Sequence, residues 1–408
     1  MNIFGMKSRR SPARLGGSFA FPNGKPAQST RPLGRVGDIY ARSISPSARS
    51  YEEQVRSAYA QNPVAMRCCR LVAEAVAGAP LLIDDPRVAA LISERADGQV
   101  LLETVATHLM LHGNAYVQLL PGAAFSSGLS HLAAGADDLP SELYALRPER
   151  VAIEMDAQGW PAAFSYRLGG QAQRLNASDA LGRSSIVHIH NVNPLDDHYG
   201  LGCLSAAAQA VAIHNSAGIW NHALLDNAAR PSGALVYDTP DKGATLSAAQ
   251  FERLKSEMEA QFQGSANAGR PMLLEGGLKW QAISMTPAEM DFLKLKDSAA
   301  RDIAMAFGVP PMLVGIPGDA TYANYREASK AFWRQTVLPM HGAILASLRQ
   351  GLKTWGVEGR ITVALDHVPA LSEDRERLWN QVSAAEFLSE AEKRAMLDIA
   401  PKQEEQGE

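Results

Sequence analysis

The segment from Thr286 to Met340 constrains the fold of this chain more than any other part of the sequence. Thr286 and Glu289 form a capping box, which predicts the start of a helix. Gly308, followed closely by two prolines, predicts the end of that helix, and Asn324, with a glutamate three residues later, predicts the start of a second one. The segment is therefore expected to be two helices joined by a loop rich in glycine and proline. It contains no pattern of catalytic residues.

The first predicted helix separates its residues onto two faces. The expected apolar face consists of Met290, Leu293, Ala300, Ile303 and Phe307, and the expected charged face of Lys294, Asp297 and Arg301.

Length and charge give two further constraints. A chain of 408 residues exceeds a single ordinary core and is expected to divide into subdomains. The net charge of −4 hides an asymmetry, because residues 1–50 contain nine Lys and Arg against Asp38 alone, so the remaining residues sum to −12. We expect residues 1–50 to be a disordered basic tail. Such a tail either contacts DNA or a capsid surface, or is a solvated arm without a function.

The cysteines are Cys68, Cys69 and Cys203, with no Cys-x-x-Cys pair, so neither a disulfide framework nor a zinc site is indicated. The N-terminal residues lack the apolar core of a signal peptide. Glu74 interrupts the longest apolar run, so no membrane span is expected. These features predict a soluble protein made in the cytoplasm.

Residues 51–200 predict an α+β body. Asn62 and Pro63 start a helix that Pro80 ends, and a second helix is expected over residues 98–112, stopping at Gly113. Hydrophobic residues then alternate in five short segments, which predicts an antiparallel sheet with helices packed on one side. The segments are Ala115–Leu120, Glu142–Arg147, Val151–Met155, Ala163–Leu168 and Ile186–His190.

A small αβ module is predicted between two long helices. The first long helix covers Leu201 to Ala229, and the second begins at Thr286. Between them, Pro231–Asp238 is expected to be a strand, Ser247 to cap a helix, and residues 272–283 to form two strands around a Gly-Gly turn. An insertion carried on two helices indicates a projecting part on a stalk.

The C-terminal part of the sequence predicts more helices. The helix after Asn324 is expected to kink or break at Pro339. Ile361–Leu365 alternates as a strand returning to the N-terminal sheet. A final pair of helices follows, the second opened by a capping box of Ser389 and Glu392.

Enzyme motifs are scarce. The sequence contains no P-loop, no Gly-x-Ser-x-Gly and no His-Glu-x-x-His pattern. Histidines two residues apart on a strand share a face. One interpretation is therefore that residues 187–200 bind a divalent metal and that the protein is a metal-dependent hydrolase. We favour the alternative of a polar strand face followed by a turn. The possible ligands are His188, His190, Asp196, Asp197 and His198.

Six motifs stand in one linear order along the chain. They are NPVAMRCCRLVAEAVAGAPLLI (62–83), LMLHGNAYVQL (109–119), LRPERVAI (146–153), LLEGGLKW (273–280), FGVPPMLVG (307–315) and ATYANYREASKAF (320–332). In this order they closely resemble the core of portal proteins of tailed phages, of the type found in Hong Kong 97-like siphophages. The compact chain is also similar to portals of gene transfer agents or prophages.

This resemblance implies a closed dodecameric ring at one vertex of a phage-like virion, assembled in the bacterial cytoplasm. Double-stranded DNA would pass through it without sequence-specific binding. The implied partners are the major capsid protein, the terminase large subunit during packaging and a head–tail adaptor afterwards. No catalysis, cofactor, metal or membrane is implied, since ATP hydrolysis would belong to the terminase. A structural ring outside any virion is a further alternative.

The resemblance also divides the chain into parts. The implied parts are a tail (1–50), a wing (51–200), two stem helices (201–229 and 286–308), a clip (230–285), a channel loop (309–323), a long helix with a strand returning to the wing (324–370), and a short crown with a C-terminal tail (371–408).

Charges are nearly balanced between residues 286 and 330, where there are six acidic and five basic residues. This balance predicts weak attraction for a passing polyanion.

Three sets of site residues follow from the division of the chain. The channel loop is expected to comprise Gly315, Ile316, Pro317, Gly318, Asp319, Ala320, Thr321 and Tyr322. The stem residues expected to face the channel are Lys294, Asp297 and Arg301, and the clip residues expected to bind a partner are Phe251, Lys255 and Met258.

Overall fold

The computed structural model describes residues 50–96, 98–121, 139–226, 233–237, 247–262, 278–282, 292–318, 321–397 and 399. Several sequence predictions lie outside these residues. They are the tail before residue 50, the capping box at Thr286 and Glu289, Met290, the strand at residues 272–275 and the last residues of the chain.

The N-terminal helices follow their local start and stop residues. Helix α1 (Tyr51–Val55) passes through a π-helical turn into α2 (Pro63–Ala77). The Asn62 side chain accepts a hydrogen bond from the Ala65 N–H at 2.9 Å, so Asn62 caps α2 as predicted. The buried residues of α2 include Cys68 and Cys69, whose thiols are free. Burial raises the pKa of both thiols to about 12.

The second predicted helix is shorter than expected. Strand β1 (Leu81–Ile83) and helix α3 (Pro86–Ser93) precede a tight hairpin of β2 (Arg95–Ala96) and β3 (Gln99–Val100). Helix α4 (Leu101–Leu111) then begins at residue 101 instead of 98 and ends before Gly113, which has a φ of +85°. The hairpin takes up the first residues of the expected helix because their backbone groups pair across strands.

The five predicted strands belong to two three-stranded antiparallel sheets instead of the single predicted sheet. In the first, β4 (Asn114–Leu120) lies between β5 (Glu142–Leu146) and β9 (Ile186–His190). In the second, β7 (Pro161–Leu168) lies between β6 (Val151–Met155) and β8 (Gln171–Asn176). Strand β8 has no alternating apolar pattern because it is an edge strand with five of its six residues exposed, so the sequence did not indicate it.

The two long helices and parts of the module between them are among the described residues. Helix α5 (Cys203–Asp226) packs against α7 (Phe292–Ala306). Between them lie β10 (Gly233–Tyr237), α6 (Ala248–Phe262) and β11 (Leu278–Ala282). The described partner of β11 is β10, in antiparallel register. Ser247 and Gln250 exchange hydrogen bonds at the start of α6, as the predicted cap requires.

The C-terminal half returns to the N-terminal core. Helix α8 (Tyr322–Phe332) continues through a π-helical turn (Trp333–Val337) into α9 (Leu338–Lys353). This irregular turn lies just before Pro339, where the sequence predicted a kink or break. Strand β12 (Ile361–Val363) pairs with β1 and not with the larger sheets. Helices α10 (Ser372–Ala384) and α11 (Glu390–Met396) follow, and α11 has the predicted capping box.

One large core joins α2, α4, α7 and α9. Val72, Val105, Ile303, Ile344 and Leu352 have no exposed surface there. A smaller cluster joins the two three-stranded sheets, and its buried members are Tyr116, Leu146, Val151, Phe164 and Ile186. Within the described part of the chain, no helix is both long and apolar enough to cross a membrane.

Candidate channel segment and its supports

Helix α7 carries three of the predicted site residues on its exposed side. Lys294, Asp297 and Arg301 are exposed, while Ile303 and Phe307 are buried in the main core, as the helical spacing predicted. Leu293, which the sequence placed on the buried face, is 75% exposed. The prediction for Leu293 is wrong because this end of α7 extends beyond the core that covers the other end.

The turn after α7 is held by the chain that follows α8. Gly308 has a φ of +66°, as the predicted helix end requires. The Thr336 hydroxyl donates a hydrogen bond to the Gly308 carbonyl at 2.6 Å. A Cβ added at Gly308 would lie 2.8 Å from the Thr336 Oγ1. The direction in which the chain leaves α7 is therefore set by the π-helical turn that contains Thr336.

The first residues of the predicted channel loop are packed against the body. Residues Pro311–Val314 form a 3-10 turn that ends at Gly315, whose φ is +78°. Ile316 is 8% exposed and belongs to the main core. The Arg301 guanidinium donates a hydrogen bond to the Pro317 carbonyl oxygen. Arg301 thus joins the exposed side of α7 to this segment, a contact that the sequence did not indicate.

The last residues of the predicted loop belong to α8. Thr321 is the N-cap, and its hydroxyl accepts a hydrogen bond from the Asn324 N–H at 3.2 Å. Two predictions are corrected here. The cap is Thr321 and not Asn324, and Tyr322 is the first helical residue and not part of the loop. Tyr322 is 80% exposed. Asp319 and Ala320 lie outside the described residues.

Buried polar contacts fasten α5 to the N-terminal helices. Asn62 and His214 are both buried, and the Asn62 Nδ2 lies 3.1 Å from the His214 Nδ1. The Asn62 Nδ2 also donates to the Asn215 Oδ1 at 2.8 Å, and the Asn215 side chain donates to the Ser57 carbonyl at 2.8 Å. The residue that caps α2 therefore also sets the position of α5.

The predicted clip residues are described only in part. On α6, Phe251 is 56% exposed and Lys255 is exposed. The side chain of Met258 lies outside the described residues. An exposed aromatic ring and a nearby cation are available on this helix for a partner.

The histidine-rich segment forms a structural contact with β4. The ring of His188 stacks on Tyr116 with centroids 4.4 Å apart, and its Nε2 lies 3.1 Å from the Asn114 Oδ1. Burial, followed by the charges of His190 and His198, lowers the pKa of His188 to about 3. His188 is therefore neutral at physiological pH.

The two aspartates of the segment behave as a turn, which agrees with the favoured interpretation. The Asp196 Oδ1 accepts hydrogen bonds from the backbone N–H groups of His198 and Tyr199, both at 2.8 Å. Among the described residues, no group of three or more His, Cys, Asp or Glu side chains is placed to hold a metal ion. The geometry of these residues does not support the hydrolase alternative.

The sequence analysis missed a charged cluster beside the predicted channel loop. Arg326, Lys330 and Arg334 follow one another at intervals of four residues and meet Glu373 and Asp374 at the start of α10. The spacing of the cations is visible in the sequence. Their acidic partners on α10 are 40 to 47 residues away, so only the tertiary structure reveals the contact.

Residues 63–398 match the family described as phage portal protein. The chain belongs to the phage portal protein family. This membership confirms the resemblance that the six ordered motifs indicated. Portal proteins are also found among its individual relatives. A probable portal protein of Streptomyces phage phiC31 is 31% identical over 136 residues, which cover 33% of this chain and 28% of the phage protein.

An uncharacterized protein of Rickettsia felis matches over a longer part of the chain. It is 38% identical over 362 residues, which cover 84% of this portal chain and 88% of the relative. A portal protein of the HK97 family from Corynebacterium diphtheriae has the same fold, with a TM-score of 0.53 at 17% identity over 76% of this chain and 96% of that one.

Solved structures of a gene transfer agent particle provide a nearer match. A chain in the virion of the native particle is 43% identical, with a TM-score of 0.64 over 87% of this portal chain and 95% of that chain. A chain in the neck of the native particle, computed with C12 symmetry, is also 43% identical with a TM-score of 0.64, over 87% of this chain and 94% of that chain. The α+β fold is therefore shared with chains of a gene transfer agent particle and with a portal protein of the HK97 family.

Proposed function

We propose that twelve copies of this chain form a closed ring at one vertex of a phage-like capsid, through which double-stranded DNA enters and leaves. The observation that carries this proposal is the 43% identity, over 87% of the chain, to a chain in a gene transfer agent neck with C12 symmetry. The ring assembles in the bacterial cytoplasm and becomes part of the virion with the major capsid protein around it.

The parts of the chain take the roles that the resemblance implied. Residues 51–200, together with β12, form the wing, and α5 and α7 form the stem. The module of β10, α6 and β11 forms the clip, and α10 with α11 forms the crown. The stem and wing of neighbouring copies pack side by side. Ile219 on α5 and Met305 on α7 support this arrangement, because they are 69% and 72% exposed in the single chain and apolar side chains of this size are favoured at contacts between subunits.

The segment from Gly315 to Tyr322 lines the channel in this arrangement. Lys294, Asp297 and Arg301 face the channel along the stem, and their mixed charges keep DNA contacts weak. Arg301 has a second role, since its bond to the Pro317 carbonyl sets where the segment leaves the stem. Thr321 and Tyr322 provide hydroxyl groups for contacts with phosphate that do not depend on sequence.

The clip binds two partners in turn. The terminase large subunit docks on α6 during packaging, through Phe251, Lys255 and Met258, and a head–tail adaptor replaces it afterwards. The ring itself has no catalytic role, because ATP hydrolysis belongs to the terminase. Replacing both His188 and His190 with Gln should leave metal content at background and ring assembly unchanged. Stoichiometric metal that disappears in this variant would contradict the non-enzymatic role.

Electron microscopy of the purified protein tests the ring directly. We expect rings with a central hole and twelvefold symmetry, and light scattering at micromolar concentration should report an oligomer. A monomer in solution, together with particles that contain no ring of this chain, would refute the proposal.

A further inference from the structure

A row of three cations lies on one side of the helix that follows the channel segment. Arg326 and Lys330 are on α8, and Arg334 is on the π-helical turn that continues it. Each step of four residues is roughly 6 Å along a helix, and residues at this spacing share a face. A row of this kind is the arrangement that polyanions bind, because each neutralised phosphate releases counterions.

Two carboxylates at the start of α10 occupy the places that phosphates would take. Glu373 lies 2.7 Å from the Arg326 Nη1 and 3.0 Å from the Lys330 Nζ. Asp374 lies 2.7 Å from the Arg334 Nη2. Glu327 is a third acid, 3.4 Å from Lys330. Three acids therefore match three cations, and the cluster has no net charge.

The guanidinium groups of Arg326 and Arg334 have N–H donors available for a further ligand. The side chains of Arg326 and Arg334 are 47% and 56% exposed. Each donates one described hydrogen bond to a carboxylate oxygen, whereas a guanidinium carries five donors. Tyr322 extends the same surface, because its ring centroid lies 6.0 Å from the Arg326 Cζ and the side chain is exposed.

The first turn of α10 contacts the body partly through these charges. Leu371, just before α10, is buried, and along α10 itself the buried apolar residue is Val382, which belongs to neither of the two hydrophobic clusters of the body. The side chains of Arg326 and Glu373 are 47% and 48% exposed, so their salt contact is weak, and added salt or a competing polyanion screens or replaces it. The Lys330 side chain is 10% exposed and is better shielded, so the contacts of the two arginines are the ones that open at a modest cost.

We propose that Arg326, Lys330 and Arg334 form a binding surface for the phosphate backbone of double-stranded DNA, and that Glu373 and Asp374 hold this surface in a neutralised state. DNA reaches the full row only where it displaces these two carboxylates. The protein thereby carries a DNA-binding surface beside the channel segment without a permanent affinity for DNA. This inference rests on the proposed function, in which DNA passes the ring.

A binding measurement on the full-length protein tests the surface. The variant E373Q/D374N should bind a short fluorescein-labelled duplex of random sequence at least about tenfold more tightly than the unmodified protein at low salt, in fluorescence anisotropy. The slope of log K against log salt should steepen by about two, since two or three phosphates are newly contacted. Adding R326Q and R334Q to this variant should remove the gain.

A matched control separates this surface from a general change in charge. The variant E376Q/E386Q removes the same number of charges from two exposed residues, one on α10 and one in the loop after it, and should leave DNA affinity within about twofold of the original, because it adds no phosphate contact. An equal gain in this control, or no gain in E373Q/D374N, would overturn the inference. If circular dichroism shows that the double variant is unfolded, E373Q alone applies the same test, with a slope change of about one.

Electron microscopy of the same samples keeps the two proposals apart. Rings without a gain in DNA affinity would refute the neutralised surface alone. A gain in affinity without rings would refute the proposed ring and leave the surface in place.

Discussion

The side-chain oxygen of Asn114 accepts a hydrogen bond from the backbone N–H of Gly200 at 2.8 Å, and the Asn114 amide donates to the Gly200 carbonyl at 3.1 Å. Asn114 is buried at the start of β4, and Gly200 lies just before α5. This pair of bonds attaches the chain just before α5 to β4. Three glycines pack backbone against backbone around it, at positions 113, 200 and 202.

The close approach at this junction predicts that Gly200→Ala destabilises the protein. A Cβ at position 200 would lie 2.1 Å from the Gly113 carbonyl oxygen, which cannot move without shifting β4. We expect the free energy of unfolding in urea to fall by at least about 2 kcal/mol, at a fixed protein concentration.

Gly218→Ala is the matched control for this substitution. Gly218 lies within α5, and a Cβ added there meets nothing within 4 Å. The control should be neutral or stabilising by up to about 1 kcal/mol. Equal losses in both variants would show that the junction is not tightly packed.

Buried histidines predict a loss of stability in mild acid. Burial lowers the pKa of His341 and of His108 from 6.5 to about 4. Between these values the unfolded chain binds protons that the folded chain does not, so the free energy of unfolding falls as the pH is lowered from 6.5 towards 4. The loss should reach about 3 kcal/mol for His341, which has no exposed surface.

Urea denaturation across this pH range measures the effect. His341→Gln should reduce the pH dependence by about one proton, and His367→Gln, at an exposed position, should change it less. A pH dependence that His341→Gln leaves unaltered would contradict the assignment.

The contact between Arg301 and Pro317 predicts a separation of assembly from DNA handling. Deleting residues 317–320 should leave rings intact in electron microscopy but reduce packaged DNA, because it removes the proposed channel lining and not the packed helices. Arg301→Gln should produce a weaker form of the same defect. Arg349→Gln, at an exposed position of α9, is the control and should package normally. Loss of rings after the deletion would make the segment an assembly element.

Exposed apolar residues on the stem predict where neighbouring copies meet. Met305→Asp should weaken the ring, because a carboxylate would be buried between subunits without a partner. Light scattering should then show smaller species while the circular dichroism of the chain is unchanged. Phe387→Asp is the control, since Phe387 is 87% exposed but lies in the proposed crown. Rings that tolerate Met305→Asp would exclude this part of α7 from the subunit contact.

Features with short-range causes were predicted from the sequence. The cap of α2 at Asn62, the positive φ of Gly308 and the capping box of Ser389 are all present. Each depends on hydrogen bonds or backbone preferences within about four residues, so local sequence is sufficient. The buried face of α7 at Ile303 and Phe307 followed from helical periodicity in the same way.

Features that depend on distant segments were not predicted. The sequence placed Leu293 in the core, assigned the strands to one sheet where the structure has two, and missed β8. One miss was local: the sequence extended the channel loop through Tyr322, because Thr321 and Asn324 are both acceptable caps and their local sequences do not decide between them. In the structure, the Thr321 hydroxyl accepts the Asn324 N–H.

The sequence by itself determined most of the helices and several strands, the ends of several helices and membership of the portal family, because these depend on ordered motifs and local hydrogen bonds. Only the tertiary structure decided that Arg301 bonds Pro317 and that Glu373 neutralises Arg326. It also decided that Asn114 joins β4 to the segment before α5. These contacts connect residues 16 to 86 positions apart, and the free energy that selects them comes from burial and charge pairing that exist only after the chain has folded.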